Sequence, residues 1–187
     1  MTLTKTDWKN APDDPECADV WRFNKKFGAV TNTSPTHLTK RKLAERANFV
    51  FEELAEFARA SGLSLQILME HPAERAPVRF VPRDGADQDL AGQADALVDL
   101  VYVIKGTAVM QGLPWVELWG DVHGANMVKV LGATKRGDRV DVTKPPGWVG
   151  PRTEDILDEA GYRRDDYTRD DGTVDDGRCA DDPEPSR

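Results

Sequence analysis

A chain of 187 residues with 39% hydrophobic content is long enough to bury a core but lean in apolar material, which fits one globular domain carrying polar extensions. Its formal net charge of -8 lies wholly in residues 154–187, where 13 acidic residues face 5 basic ones, so that residues 1–153 are balanced at 20 of each sign. A neutral body with an acidic tail excludes duplex nucleic acid as the main partner, because backbone phosphates demand a clustered basic surface.

The first residues, MTLTKTDWKNAPDDPE, hold no apolar signal-type segment, and no stretch approaches the ~18 uninterrupted apolar residues of a membrane span. The expectation is a soluble protein of the bacterial cytoplasm, or of the host cytoplasm if viral, with no membrane partner. Cys17 and Cys179 lie far apart in polar settings, without a Cys-x-x-Cys pair, and predict neither a disulfide framework nor a zinc site.

In chain order, residues 1–16 read as an extended lead-in. A first helix is predicted from Cys17 to Phe27, with Val20, Phe23 and Phe27 at helical spacing and Gly28 as its stop. Ser34 or Thr36 is suited to cap a second helix, Pro35 to Ala60, whose apolar stripe is Leu43, Ala47, Val50, Leu54 and Phe57. Residues 63–89 lose that period; Gln66 to Glu70 and Val78 to Val81 read as the strands of a short β-hairpin excursion. The third helix, Gln88 to Met110, repeats the stripe at Leu90, Ala94, Leu97, Val101, Ile104 and Ala108, and Gly112 ends it. Pro114 fits the first turn of a fourth helix reaching Val130, with Trp115, Leu118, Val122 and Met127 facing the core. The pattern predicts an all-α, four-helix bundle over residues 17–160. The Lys144-Pro-Pro-Gly-Trp-Val-Gly-Pro segment is a rigid strap, Thr153 caps a short helix over 154–160, and the acidic tail, 161–187, reads as disordered.

The chemistry concentrates on the second and third helices. Glu52, Glu53 and Glu56 fall three and four residues apart, within reach across one turn, where like charges repel. An EExxE of this kind is commonly a solvated face, but Phe49, Val50, Phe51 and Leu54 make its setting apolar. On the third helix Asp99 stands alone in Ala96-Leu-Val-Asp-Leu-Val-Tyr-Val-Ile, so at about 100° per residue it adjoins core positions. A carboxylate there must pair with a base such as Arg46, Lys105 or Lys129, coordinate a cation, or take up a proton. Asp95 lies one turn earlier on the same side. Facing helices that each offer carboxylates form an all-oxygen donor set, which selects Mg²⁺ or Mn²⁺ over zinc. Magnesium completes its shell with water and phosphate oxygens, pointing to a polyphosphate substrate and hydrolysis at phosphorus. A di-iron bundle would need Glu-x-x-His pairs, which are absent. On the fourth helix Asn126 and Lys129 share a face and suit phosphate or sugar, although a lysine there also compensates the helix dipole; His123 reads as structural. Asn24 and Phe27 are suited to line a base pocket, Phe27 being equally suited to the core.

These residues resemble the MazG-like all-α nucleoside-triphosphate pyrophosphohydrolases, which include dimeric dUTPases and phosphoribosyl-ATP pyrophosphohydrolases. The resemblance runs from Val20 to Leu157 and rests on FNKKFG, on Arg46 six residues before EELAE, on DALVDLVYVIKGTAVMQG, on DVHGANMVK and on KPPGWVGP. The family signature is ExxE followed on the next helix by ExxD. Glu53 and Glu56 supply the first half, Glu52 the frequent extra acid, and Asp99 the last aspartate. Ala96 stands where the ExxD glutamate falls, with Asp95 one residue earlier, and the 38 residues from Glu56 to Asp95 exceed the usual gap. The resemblance implies Mg²⁺- or Mn²⁺-dependent cleavage between the α and β phosphates. Glu53, Glu56 and Asp99 are then catalytic, Glu52, Glu53, Glu56, Asp95 and Asp99 hold metal, and Asn24, Phe27, Asn126 and Lys129 bind substrate. It also implies a homo-oligomer, dimer or tetramer. FNKKFG and LVDLVYVIKGTA look closest to the MazZ branch, which places dGTP or GTP ahead of dUTP, dCTP and damaged nucleotides. Two other classes stay open: a nucleotide-binding regulatory bundle impaired by the Ala96/Asp95 change, and a bundle that presents its acidic tail to a partner.

Overall fold

The computed structural model describes residues 11–67, 78–132 and 142–163. Cys179, almost all of the acidic tail and the middle of the hairpin excursion lie outside them. The described residues form two compact units, one of those before residue 38 together with those from residue 108 on, and one of those between 38 and 107. Among the described residues the structure is mainly α, with two small antiparallel strand pairs.

In the first unit, α1 spans Pro15–Phe27. It starts two residues before the predicted Cys17 because Asp14 caps it, accepting from the Cys17 amide at 2.8 Å, and Pro15 fits its first turn. Gly28, at φ 72°, ends it as predicted. Its inward face is Cys17, Val20, Trp21 and Asn24, all buried, and Cys17 and Trp21 cluster with Val109. The polar setting expected for Cys17 is therefore corrected: it is buried in the core. Phe23 and Phe27, expected inside with Val20, are 47% and 62% exposed and pack on each other at 4.6 Å between ring centroids.

The loop after α1 caps the end of α3, a helix of Leu90–Gln111 whose last residues belong to this unit. Asn32 donates its side-chain amide to Met110 O at 2.6 Å, and the Thr36 amide donates to Gln111 O at 2.8 Å. These bonds satisfy carbonyls that the helix end leaves open. Gly112 then turns the chain at φ 64°, and a Cβ there would stand 2.2 Å from Ser34 O, so only glycine fits. Helix α4 follows as Trp115–Met127, and α5 as Thr153–Glu159, which packs on α4 and buries Ile156. Thr153, expected as the α5 cap, is instead its first residue; Arg152 holds the cap position, and its amide donates to Asp121 Oδ2 at 2.6 Å.

The second unit holds α2, Lys40–Ala60. Neither Ser34 nor Thr36 caps it: the Thr36 hydroxyl donates to Ser34 O and its amide serves α3, so the helix waits for Thr39, which accepts from the Lys42 amide. A hairpin is present, but its first strand starts at Leu63 and not at the expected Gln66, and residues 68–70 of the expected strand lie outside the described residues. Strands β1, Leu63–Ile67, and β2, Val78–Pro82, pair antiparallel with Leu63 opposite Pro82 and Ile67 opposite Val78. The pair β3, Val130–Leu131, with β4, Val142–Thr143, lies in the first unit and was not expected from sequence.

The stripe expected as core on α3 is largely exposed: Leu97, Val101 and Ile104 are 48%, 45% and 41% exposed, whereas Ala96 and Ala108 are buried. Among the described residues, no single helix is long and apolar enough to cross a membrane.

Candidate functional site

The expected carboxylates all lie in the second unit, on α2 and the part of α3 that precedes residue 108. Two sets of hydrogen bonds fix the helices against each other. Near one end, Arg46 donates from Nη2 to Val103 O at 2.6 Å and from Nε to Thr107 Oγ1 at 3.0 Å. At the other, Ala60 O accepts from the Asp89 amide at 2.8 Å and from Gln93 Nε2 at 3.4 Å. The helices are therefore antiparallel, and equal rise per residue lets the register be counted between the clamps. Seven residues on from Arg46 is Glu53, and seven back from Val103 and Thr107 are Ala96 and Leu100. Counting from Ala60 against Asp89 and Gln93 gives the same span. The register thus sets Glu52 and Glu53 opposite Asp99, and Glu56 opposite Asp95.

Electrostatics agrees with that register. The Glu53 carboxyl is pushed above the usual carboxylate range, first by partial burial and then by the negative charges of Asp99, Glu56, Glu52 and Asp95. All four acids expected to share a metal with Glu53 are the ones whose charge reaches it. Glu53 is half-buried, while Glu52, Glu56, Asp95 and Asp99 are exposed. The enclosed setting expected for Asp99 is corrected: its apolar neighbours Leu97, Val98 and Val101 are themselves exposed in the single chain.

Arg46, one candidate to neutralise Asp99, spends its guanidinium on Val103 O and Thr107 and lies over the Phe49 ring at 5.4 Å. Among the described residues none of the five carboxylates is in an ion pair, and no three His, Cys, Asp or Glu side chains stand together closely enough to hold a metal ion. The donor set nevertheless fits a hard divalent cation: it is all oxygen, it is negatively charged, and no cation among the described residues is ion-paired with it to offset its repulsion.

Ala96 is 3% exposed whereas Asp95 points to solvent, so the two occupy different faces of α3. The acid displaced by one residue is the one that the register brings to Glu56.

The remaining expected residues lie in the first unit. Asn24 is 5% exposed, and among the described residues its side-chain Nδ2 has no hydrogen-bond partner. A buried amide of that kind is costly unless something completes it. Phe27 is exposed beside Phe23, with the Lys26 ammonium 4.9 Å from its ring centroid. Asn126 is exposed and accepts from Lys129 Nζ at 2.7 Å.

The family model described as phosphoribosyl-ATP pyrophosphohydrolase matches residues 20–126, from α1 through both acid-bearing helices to Asn126. The chain belongs to the phosphoribosyl-ATP pyrophosphohydrolase family. It is thereby one of the MazG-like all-α pyrophosphohydrolases, hydrolases that act on nucleotides. No curated protein sequence matches the chain. In this pyrophosphohydrolase, sequence reasoning reached the acids but gave Arg46 only as a matching position or an ion-pair partner. Its place seven residues, about two turns, before Glu53 and so on the same face of α2 was the available signal. Trp148 was legible only as part of a rigid strap; its indole N–H donates to Ala125 O at 2.9 Å, beside Asn126.

Proposed function

We propose that this protein is a metal-dependent nucleoside triphosphate pyrophosphohydrolase, converting a (d)NTP and water to (d)NMP and pyrophosphate. The observation that carries this reading is that the charges of Asp99, Glu56, Glu52 and Asp95 all act on Glu53 across two register-locked helices, with none of the five in an ion pair among the described residues. Glu52, Glu53, Glu56, Asp95 and Asp99 would hold Mg²⁺ or Mn²⁺, which supplies charge neutralisation along the phosphate chain and a more acidic water. Among the chain's own groups, Glu53, Glu56 and Asp99 orient the attacking water and take its proton. Lys129 offsets charge on the phosphates, and Asn126 orients a phosphate or the sugar. The orphaned Asn24 amide and the exposed Phe27 ring supply a hydrogen-bonding edge and a stacking surface for the base. The likeness of FNKKFG and LVDLVYVIKGTA to the MazZ branch puts dGTP and GTP first among substrates.

The experiment is a panel of all canonical dNTPs and NTPs, with phosphoribosyl-ATP added, incubated with Mg²⁺ or Mn²⁺ and resolved by chromatography. The expected products are monophosphate and pyrophosphate, fastest from dGTP or GTP and abolished by chelator. Diphosphate plus inorganic phosphate would contradict cleavage between α and β. Tight triphosphate binding without turnover would favour the impaired regulatory reading, which the alanine at position 96 favours.

The exposed stripe of Leu97, Val101 and Ile104 supports an oligomer, a dimer or tetramer in which a second copy covers α3 and encloses Asp99. Light scattering is expected to give at least a dimer, and Val101→Glu to shift it to monomer. A monomeric wild type, or an unchanged mass in the variant, would remove this part of the reading.

A further inference from the structure

The strap after α4 gathers charge that the acid cluster does not explain. Pairing of β3 with β4 turns the chain back so that Lys144, which follows β4, returns toward the end of α4. A tight turn follows, with the Trp148 amide donating to Pro145 O at 3.0 Å and Gly147 at φ 76°. The Trp148 indole N–H is then fastened to Ala125 O in the last turn of α4.

Two ammonium groups lie over that one ring. Lys144 Nζ is 4.2 Å and Lys129 Nζ 5.9 Å from its centroid, and Lys129 also donates to Asn126 Oδ1. The two charges are therefore held within about one Debye length of each other, where they repel. One lysine on an aromatic face is an ordinary cation–π contact. Dipole compensation at the end of α4 accounts for Lys129. Dipole compensation does not extend to Lys144, which sits on a strap and not on a helix, and a cation–π contact explains one ammonium on the ring but not the gathering of two. Among the described residues, no carboxylate pairs with either lysine. Two positive charges and a neighbouring amide, with no counter-ion among the described residues, make a receptor for a multiply charged anion.

We propose that Lys144, carried on Trp148, forms with Lys129 and Asn126 a subsite for the polyphosphate chain of the substrate. The proposal rests on the hydrolase reading above for the identity of that substrate, while its chemistry, recognition of linked phosphates by paired ammonium groups, stands apart from catalysis. Lys144 is a binding residue here, and Trp148 positions it.

The test compares wild type with Lys144→Gln, Lys144→Arg and Trp148→Phe, each checked for an unchanged circular dichroism spectrum. Inorganic tripolyphosphate with Mg²⁺ is titrated by calorimetry, and KM and kcat are measured on the best nucleotide. Loss of one charge-assisted contact is expected to weaken tripolyphosphate binding and raise KM roughly tenfold or more, with kcat within about threefold of wild type. Lys144→Arg is expected to recover most of the affinity. Trp148→Phe keeps an aromatic face but loses the bond to Ala125 O, so it should fall between. Tripolyphosphate affinity and KM within about twofold of wild type in Lys144→Gln would overturn the subsite even if the enzyme hydrolyses nucleotides. Absence of tripolyphosphate binding to wild type would overturn it as well. Binding that depends on Lys144 in a protein without hydrolase activity would uphold the subsite and sink the hydrolase reading alone.

Discussion

Glu53→Gln and Asp99→Asn are each expected to lower nucleotide turnover by about 10³-fold or more, while helical circular dichroism is retained. Both exchanges keep the shape of the side chain and remove one negative donor from a set whose charges converge on Glu53. The fold should not suffer. A carboxyl whose pKa is raised on folding favours the folded state only while protonated; that contribution is present at low pH and lost as pH rises through the folded-state value. At neutral pH the Glu53 charge therefore works against the fold, and Gln relieves it, so the melting temperature should hold or rise. Steady-state assays with thermal melts of the same samples check both halves. Retained turnover in both variants would move the site elsewhere, and a collapsed melt would make the acids structural.

Arg46→Ala is expected to act in the opposite way, costing stability first and activity through it. Arg46 ties α2 to Val103 O and Thr107 Oγ1 and covers Phe49, and partial burial draws its guanidinium pKa below the ordinary value. Its loss leaves acceptors on α3 unanswered and releases one of two clamps that set Glu53 against Asp99. Two charge-assisted bonds in a partly exposed setting are worth about 2 kcal/mol, a drop of roughly 4–8 °C in melting temperature for a chain of this size. Lysine keeps the charge but cannot make both bonds at once, so Arg46→Lys should recover only part of either property. A melt unchanged in Arg46→Ala would mean that the register is held without it.

The long helices were legible because period and punctuation agreed. Gly28 and Gly112 stop α1 and α3 where expected or one residue later, and the broken period after Ala60 marked the hairpin. The ends that slipped did so where a competing bond intervened. Asp14 captured the Cys17 amide and pulled α1 forward, while Thr36 was drawn to the end of α3 and left the α2 cap to Thr39. An apolar stripe announces that a face is covered, not by what. Leu97, Val101 and Ile104 met the pattern of a core and stand exposed in a single chain, as do Phe23 and Phe27. The same ambiguity touched Asp99, whose apolar neighbours were legible but whose exposure was not.

At the site, acid spacing was visible along each helix, whereas the register that sets Glu56 opposite Asp95 needed the clamps at Arg46 and Ala60. Sequence alone made Asp95 a misplaced substitute for an acid at position 96. Because Ala96 faces inward and Asp95 outward, the displaced acid is the one free to meet its partner. The grouping of Lys144 and Lys129 on Trp148 depends on the β3–β4 pair, two residues per strand, too short to leave a sequence pattern.

Whether the acids of α2 and α3 together form a divalent metal site is tested, without reference to any substrate, by titrating Mn²⁺ into the protein and following the loss of its free electron paramagnetic resonance signal. Saturable Mn²⁺ binding by wild type is expected, competed by Mg²⁺ and weakened at least tenfold in Glu53→Gln and in Asp99→Asn. Equal Mn²⁺ affinity in wild type and both variants would contradict such a site.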